Sequence, residues 1–139
     1  MASRRLFLDT SFLVALENRD DPFHGRAKQL DRQLMSEACT LLLHWGILLE
    51  IGDGYARIGR RNKGLQLLEK LSREEGYHVY PLTESLLEQA SDLYRARPDK
   101  DWGLTDCVSF ILMRQEGISE ALTADVHFRQ ASFTPLLLE

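Results

Sequence analysis

The chain has 139 residues, 44% of them hydrophobic, with 17 basic and 21 acidic side chains and a formal charge of −4. That length and composition suit a single domain, residues 1–139, whose core needs no disulfide or structural metal. No apolar run nears the roughly 20 residues of a membrane span, no signal-peptide stretch opens the chain, and the mild acidity excludes a generally basic nucleic-acid coat while leaving room for a local basic patch.

Residues 4–9 (Arg-Arg-Leu-Phe-Leu-Asp) predict a short strand that is apolar on both faces, as in a parallel sheet covered by helices. Thr10 and Ser11 offer N-cap hydroxyls for a helix from Phe12 to Glu17. Asp20-Asp21-Pro22 opens a second helix, in which Phe23, Ala27, Leu30 and Leu34 recur at helical spacing. Residues 39–43 form the next strand. His44 to about Ile58 reads as a helix with Ile47, Leu48 and Ile51 on one side, although Gly52 and Gly54 each weaken it by about 1 kcal/mol relative to alanine.

Leu65, Leu68 and Leu71 mark a further helix, ended by Gly76. A third strand from Tyr77 to Pro81 and a helix from Glu84 to Ala96 follow. The polar loop 99–103 feeds a helix from Leu104 to Glu116, closed by Gly117. Ala121 to Ala124 is a fourth strand, Val126 to Ala131 a turn or short helix, and Phe133 to Leu138 a fifth strand. Strands alternating with helices predict an α/β fold with a mostly parallel central sheet.

In such sheets ligands bind beyond the carboxyl ends of the strands. Asp9 ends the first strand and Asp125 lies just past the fourth. Glu50 and Asp106 sit early in helices that follow a strand and a loop. Glu50 interrupts the apolar run Trp45-Gly-Ile-Leu-Leu-Glu-Ile, where a buried unpaired charge would be expensive. If the four converge, each like-charged pair at ~4 Å and an effective dielectric of ~20 costs about 4 kcal/mol. Either some are protonated or a divalent cation neutralises them. Oxygen-only donors with no clustered His or Cys point to Mg²⁺ or Mn²⁺, a combination suited to phosphodiester hydrolysis.

The blocks Leu6-Phe-Leu-Asp-Thr-Ser-Phe-Leu-Val-Ala-Leu16, Glu50 on its helix, Asp101-Trp-Gly-Leu-Thr-Asp-Cys-Val-Ser-Phe110 and Leu122-Thr-Ala-Asp-Val-His-Phe128 come in an order that resembles the PIN-domain family, and within it the prokaryotic VapC-type toxin ribonucleases. The resemblance runs from residue 5 to about 137. It implies a three-layer α/β/α sandwich and a Mg²⁺- or Mn²⁺-dependent endoribonuclease, with Asp9, Glu50, Asp106 and Asp125 as metal carboxylates. Asp101 sits where many relatives carry another acid, an outer-shell position, while Gly103 departs from the serine common there. A cognate antitoxin protein and a homodimer are implied as partners, RNA as substrate and no membrane. Two rivals, a housekeeping RNA-processing nuclease without antitoxin and a non-catalytic RNA-binding scaffold, share the fold.

The remaining candidates have plainer readings beside the functional ones. Thr10 and Ser11 either cap a helix or orient a water or phosphate, and Thr123 either ends a strand or hydrogen-bonds a site carboxylate. Arg57, Arg60, Arg61 and Lys63 form a run with no acid, either a phosphate track or a solvated loop. His44 and His127 read as locally satisfied rather than catalytic. Trp45 and Trp102 read as core or dimer contacts more readily than as base-stacking platforms. Cys39 and Cys107 match no C-x-x-C pattern, which makes both buried, inert thiols in a reduced, cytoplasmic protein.

Overall fold

Leu6, Phe7 and Leu8 are fully buried, as a strand covered on both faces requires. They belong to β1 (Arg4–Leu8), the middle strand of the sheet in a computed structural model that describes residues 4–57 and 59–139. The Met1 to Ser3 stretch and the expected helix end near Ile58 lie outside the described residues. Strand β2 (Cys39–His44) pairs with one side of β1 and β4 (Glu120–Leu122) with the other. With β3 (Tyr77–Tyr80) and β5 (Thr134–Pro135) at the edges, the order is β3-β2-β1-β4-β5, and every pairing is parallel.

Right-handed crossovers place α1 (Thr10–Glu17), α2 (His24–Met35), α3 (Trp45–Gly54) and α4 (Arg61–Arg73) on one face. Helices α5 (Glu84–Ala96), α6 (Leu104–Glu116) and α7 (Val126–Gln130) cover the other. The result is the expected three-layer α/β/α sandwich. Alternation along β1 sends Phe7 towards α6 and α7, where its ring meets Phe128 at 5.9 Å. Phe110 packs edge-on against both Phe128 and Trp102, at 5.1 and 5.0 Å. Leu8 points the other way, towards Phe12, Leu13 and Leu34.

Several local expectations are corrected. Helix α1 begins at Thr10, and its cap is the Asp9 carboxylate rather than a Thr10 or Ser11 hydroxyl. Asp20-Asp21-Pro22 does not start α2. Asp21 instead accepts a hydrogen bond from the Phe23 backbone at 2.8 Å, a turn that delays the helix to His24. Helix α3 stops at Gly54, because Tyr55 folds inward to pack on α4. A Cβ at Gly64 would stand 2.8 Å from the Tyr55 Cβ, so this crossing needs glycine. On α4 the inward positions are Gly64, Leu67 and Leu71, and Leu65 is exposed. Strand β4 ends at Leu122, before Thr123, and the fifth strand shrinks to Thr134–Pro135, followed by a 3-10 turn over Leu136–Leu138. Cys39 is half-buried and Cys107 buried; neither forms a disulfide.

His44 ends β2 fully buried. Its Nδ1 accepts a hydrogen bond from the Gly46 backbone at 3.0 Å, so the neutral ring carries its proton on Nε2 and donates to Ser109 Oγ at 2.9 Å. Ser109 donates in turn to the Thr105 carbonyl at 3.1 Å, which ties the start of α3 to α6. A Cβ at position 46 would lie 2.6 Å from the imidazole, so glycine admits this cap. Burial pushes the His44 pKa from 6.5 down to about 4. The unfolded chain therefore binds one more proton than the folded chain between those pH values, and stability falls as pH drops through that window. Asp9, Glu50 and Asp106 have raised pKa values and slope the opposite way. The expected result is a difference: His44→Asn, which keeps a cap acceptor, loses the His44 slope of up to about 1.4 kcal/mol per pH unit. Urea unfolding of both proteins between pH 4 and 7.5 measures it, and parallel curves would refute the assignment.

Candidate active site

Between β1 and β4 the order of crossovers reverses, which opens a crevice at the carboxyl ends of these two strands. Asp9 follows β1 and Asp125 follows β4, so both stand at that crevice by topology alone. Asp106 enters from the first turn of α6, and Glu50 from α3, whose end leans on α1.

Each acid is held through one carboxylate oxygen. Asp9 Oδ2 accepts hydrogen bonds from Ser11 Oγ and Thr123 Oγ1, both at 2.8 Å, and from the Ser11 backbone at 3.4 Å. Asp106 Oδ2 accepts from the Gly103 backbone and lies near His127 Nδ1, both at 3.1 Å. Asp125 Oδ1 accepts from the His127 backbone at 2.9 Å. Glu50 Oε1 accepts from Thr10 Oγ1 at 3.0 Å. The second oxygen of every one of the four has no hydrogen-bond partner among the described residues. The capping roles of Asp9, Asp106 and Asp125 are real, and each still leaves an oxygen to spare.

The electrostatics agree with convergence. Burial foremost holds the Asp9 carboxyl above the ordinary range; the Thr123 and Ser11 hydroxyls pull it down, and the charges of Asp106 and Asp125 push it up. Burial and the charge of Asp125 raise Asp106 against the pull of Gly103 and His127. Glu50 is raised by partial desolvation first, and then by Asp9, Asp106 and Asp125 despite the Thr10 hydroxyl. Among the described residues, donor atoms of Asp106, Asp125 and His127 lie within 4.8 Å of one another and could hold a metal ion, while Asp9 and Glu50 face the same charges from outside that span.

Glu50 itself corrects an expectation. It lies on the exposed flank of α3 rather than inside the apolar run, because Ile47 and Ile51 turn the apolar face away from it. Ser11 and Thr123 do hydrogen-bond the site. Ser11 Oγ lies 3.1 Å from Thr123 Oγ1 and accepts from the Ala124 backbone, while Thr123 Oγ1 accepts from the Asp125 backbone at 3.0 Å. Asp101 is exposed beside Arg97 and Trp102, and no hydrogen bond or ion pair joins it to the four acids among the described residues. Arg60 and Lys63 line a depression of about 400 Å³ together with Thr10 and Glu50. Arg60 lies over the Tyr55 ring at 5.2 Å, and Lys63 pairs with Glu17 at 2.6 Å. Arg61 turns away to donate to the Ala56 carbonyl at 3.0 Å, and Arg57 is exposed on the preceding turn.

The residue that sequence reasoning set aside is His127. Its Nδ1 stands 3.1 Å from Asp106 Oδ2 and 3.3 Å from Asp125 Oδ1, within the cluster. The available signal was its place two residues after Asp125, where the turn that Asp125 caps swings the ring back over the site. Of the tryptophans, Trp102 is core, donating to Gln130 Oε1 at 3.0 Å, whereas Trp45 is half exposed.

Residues 6–134 match the PIN domain family. The chain belongs to the PIN domain family. This PIN domain is 31% identical over 130 residues to the 23S rRNA-specific endonuclease VapC20 of Mycobacterium tuberculosis, covering 92% of this chain and 95% of that protein. The crystal structure of VapC20, described as a sarcin-ricin loop cleaving toxin, superposes with a TM-score of 0.81 at 27% identity, over 93% of this chain and 96% of that one. At the level of fold alone, FitAcB from Neisseria gonorrhoeae matches with a TM-score of 0.63 at 18% identity, over 94% of each chain. VapBC2 from Rickettsia felis matches with 0.64 at 12%, over 94% and 96%.

Proposed function

We propose that this PIN domain, residues 1–139, is a Mg²⁺- or Mn²⁺-dependent endoribonuclease and the toxin of a toxin–antitoxin pair. One observation carries the reading: Asp106 and Asp125 bring donor atoms within 4.8 Å of each other at the sheet's crevice, and Asp9 and Glu50 stand near enough to feel both charges, each acid keeping an unpaired oxygen. Asp9, Glu50, Asp106 and Asp125 hold the metal. A bound divalent ion supplies Lewis acidity, easing deprotonation of water and neutralising charge on the scissile phosphate. The protein's own part is positioning. Ser11 and Thr123 fix Asp9 through Oδ2, Gly103 fixes Asp106, and Thr10 fixes Glu50, so the acids are preorganised before substrate arrives. The depression shared by Glu50, Arg60 and Lys63 carries the RNA backbone into the site.

The likeness to VapC20 makes ribosomal RNA the first substrate to try, and a cytoplasmic setting fits that substrate. No helix among the described residues is long and apolar enough to cross a membrane. For the antitoxin, the groove between α1, α2 and α4 offers Leu16 and Met35 over a buried floor, with Glu17, Asp31, Glu74 and Glu75 outnumbering Lys70 around it. That surface suits a basic, amphipathic segment. Trp45 and Leu49, one turn apart and exposed on α3, suit the apolar contact of a homodimer.

The test is cleavage of purified ribosomal RNA with Mg²⁺ or Mn²⁺, beside EDTA and Asp9→Asn controls. Discrete fragments that vanish in both controls are expected. Loss of ion binding and of cleavage together would leave a non-catalytic scaffold. Within the basic segment, Arg60→Ala and Lys63→Ala should each weaken RNA binding and lower its salt slope by about one. Arg61→Ala should change neither. Equal effects of all three on a binding titration at several salt concentrations would reduce the segment to a diffuse charge.

A further inference from the structure

The geometry points to His127 as a nitrogen ligand of the metal centre, which makes the site selective for a transition ion such as Mn²⁺ over Mg²⁺. The inference rests on the metal-nuclease reading above and adds to its four carboxylates. One donor atom each from Asp106, Asp125 and His127 lies within 4.8 Å of the others, a span that an ion between them can bridge. Nδ1 faces both Asp106 Oδ2 and Asp125 Oδ1, at 3.1 and 3.3 Å, so that all three atoms can turn to one ion lying beside them.

Without an ion, Nδ1 must carry the proton to bond these acceptors. Nε2 has no protein partner among the described residues and can take that proton, which leaves the Nδ1 lone pair facing the acids. The ring is held for this by the chain itself. Asp125 caps α7 through the His127 backbone, and Phe128, the next residue, is fully buried against Phe7 and Phe110. The backbone that carries the imidazole is therefore fixed at both sides, and the side chain starts from one place beside the two acids. A hydrogen-bonding clamp alone would need only a donor, whereas a ligand changes the metal preference. Mg²⁺ favours an all-oxygen octahedral shell, and imidazole nitrogen suits transition ions.

The experiment titrates Mn²⁺ into the metal-free full chain, counts free ion by its electron paramagnetic resonance, and reads the bound ion by electron spin echo modulation for nitrogen coupling. Expected is the coupling of a directly bound imidazole, altered by ¹⁵N-histidine labelling. His127→Asn, which keeps an oxygen near the Nδ1 position, should lose the coupling and bind Mn²⁺ about tenfold or more weaker. Its Mg²⁺ affinity, measured by competition, should stay within about threefold. Bound Mn²⁺ without nitrogen coupling in the unaltered protein, or coupling that survives in His127→Asn, overturns the role of His127 and leaves the nuclease reading standing. No Mn²⁺ binding at all overturns both. The unaltered protein's spectrum decides even if the variant does not fold.

Discussion

Asp9→Asn is expected to cut RNA cleavage by about a thousandfold or more while raising the melting temperature of the metal-free protein. Activity falls because the carboxylate that both hydroxyls hold in place loses its charge towards the ion. Stability rises for a separate reason. Asp9 is buried, and its raised pKa means that the folded chain binds its proton more tightly than the unfolded chain does. Stability from this group is thus greatest at low pH and is lost as pH rises through its raised pKa, above which the folded chain bears a buried charge facing Asp106 and Asp125. Asparagine removes that charge. Its amide oxygen still accepts from Ser11 and Thr123, and its NH₂ turns towards the other acids. A gain of about 1–2 kcal/mol at pH 7 follows, on the order of 5 °C. Adding Mn²⁺ should reverse the ranking, since ligand binding at a hundredfold excess over Kd stabilises by about 2.7 kcal/mol and the variant binds poorly. Thermal melts with and without Mn²⁺, beside a cleavage assay, measure all three. A variant that melts below the unaltered protein in EDTA would show that repulsion in the cluster is not what limits stability.

Thr123→Val should destabilise the fold by about 2–4 kcal/mol and lower cleavage about tenfold or more. Valine matches the shape of threonine but removes a fully buried hydroxyl that bonds in two directions. That hydroxyl donates to Asp9 Oδ2 at 2.8 Å and accepts from the Asp125 backbone at 3.0 Å, so one atom sets two of the four acids. Its loss leaves a buried carboxylate short of a donor and strands a backbone N–H. The Asp9 pKa should climb further, because a hydrogen bond to its ionised form is gone. The acid limb of the cleavage profile therefore moves to higher pH. Thr123→Ser, which keeps the hydroxyl, should restore the profile and most of the stability. Urea unfolding and pH–rate profiles of the three proteins check this. Equal stability of Thr123→Val and the unaltered chain would remove Thr123 from the site's support.

Local pattern determined a good deal here. Helices α5 and α6 begin and end at the predicted residues because Pro81, Thr83, Gly103 and Gly117 punctuate strong helical periods. The apolar run 6–8 specified a two-sided strand, and strand position alone put Asp9 and Asp125 at one end of the sheet. Boundaries slipped where capping competed: Asp9 against Thr10 at α1, and Asp21 against Pro22 before α2.

Which atoms meet was decided by the tertiary structure. Thr123 reaches Asp9 from 114 residues away, a contact created by β4 pairing beside β1. Periodicity reports a residue's side of its own element, not the neighbour across the gap, so it left Glu50 in an apolar run that actually faces away from it. It likewise gave no means to separate Arg60 and Lys63 from Arg61, which differ only in how α4 is rotated against α3. His127 shows the same limit. A histidine at no ligand spacing joins two aspartates because the crossover from β4 to β5 and the anchor at Phe128 fold α7 over the end of α6. Spacing along the chain carries the donor types, and only the packing of the two helix layers on the sheet brings Asp106, Asp125 and His127 within 4.8 Å of one another.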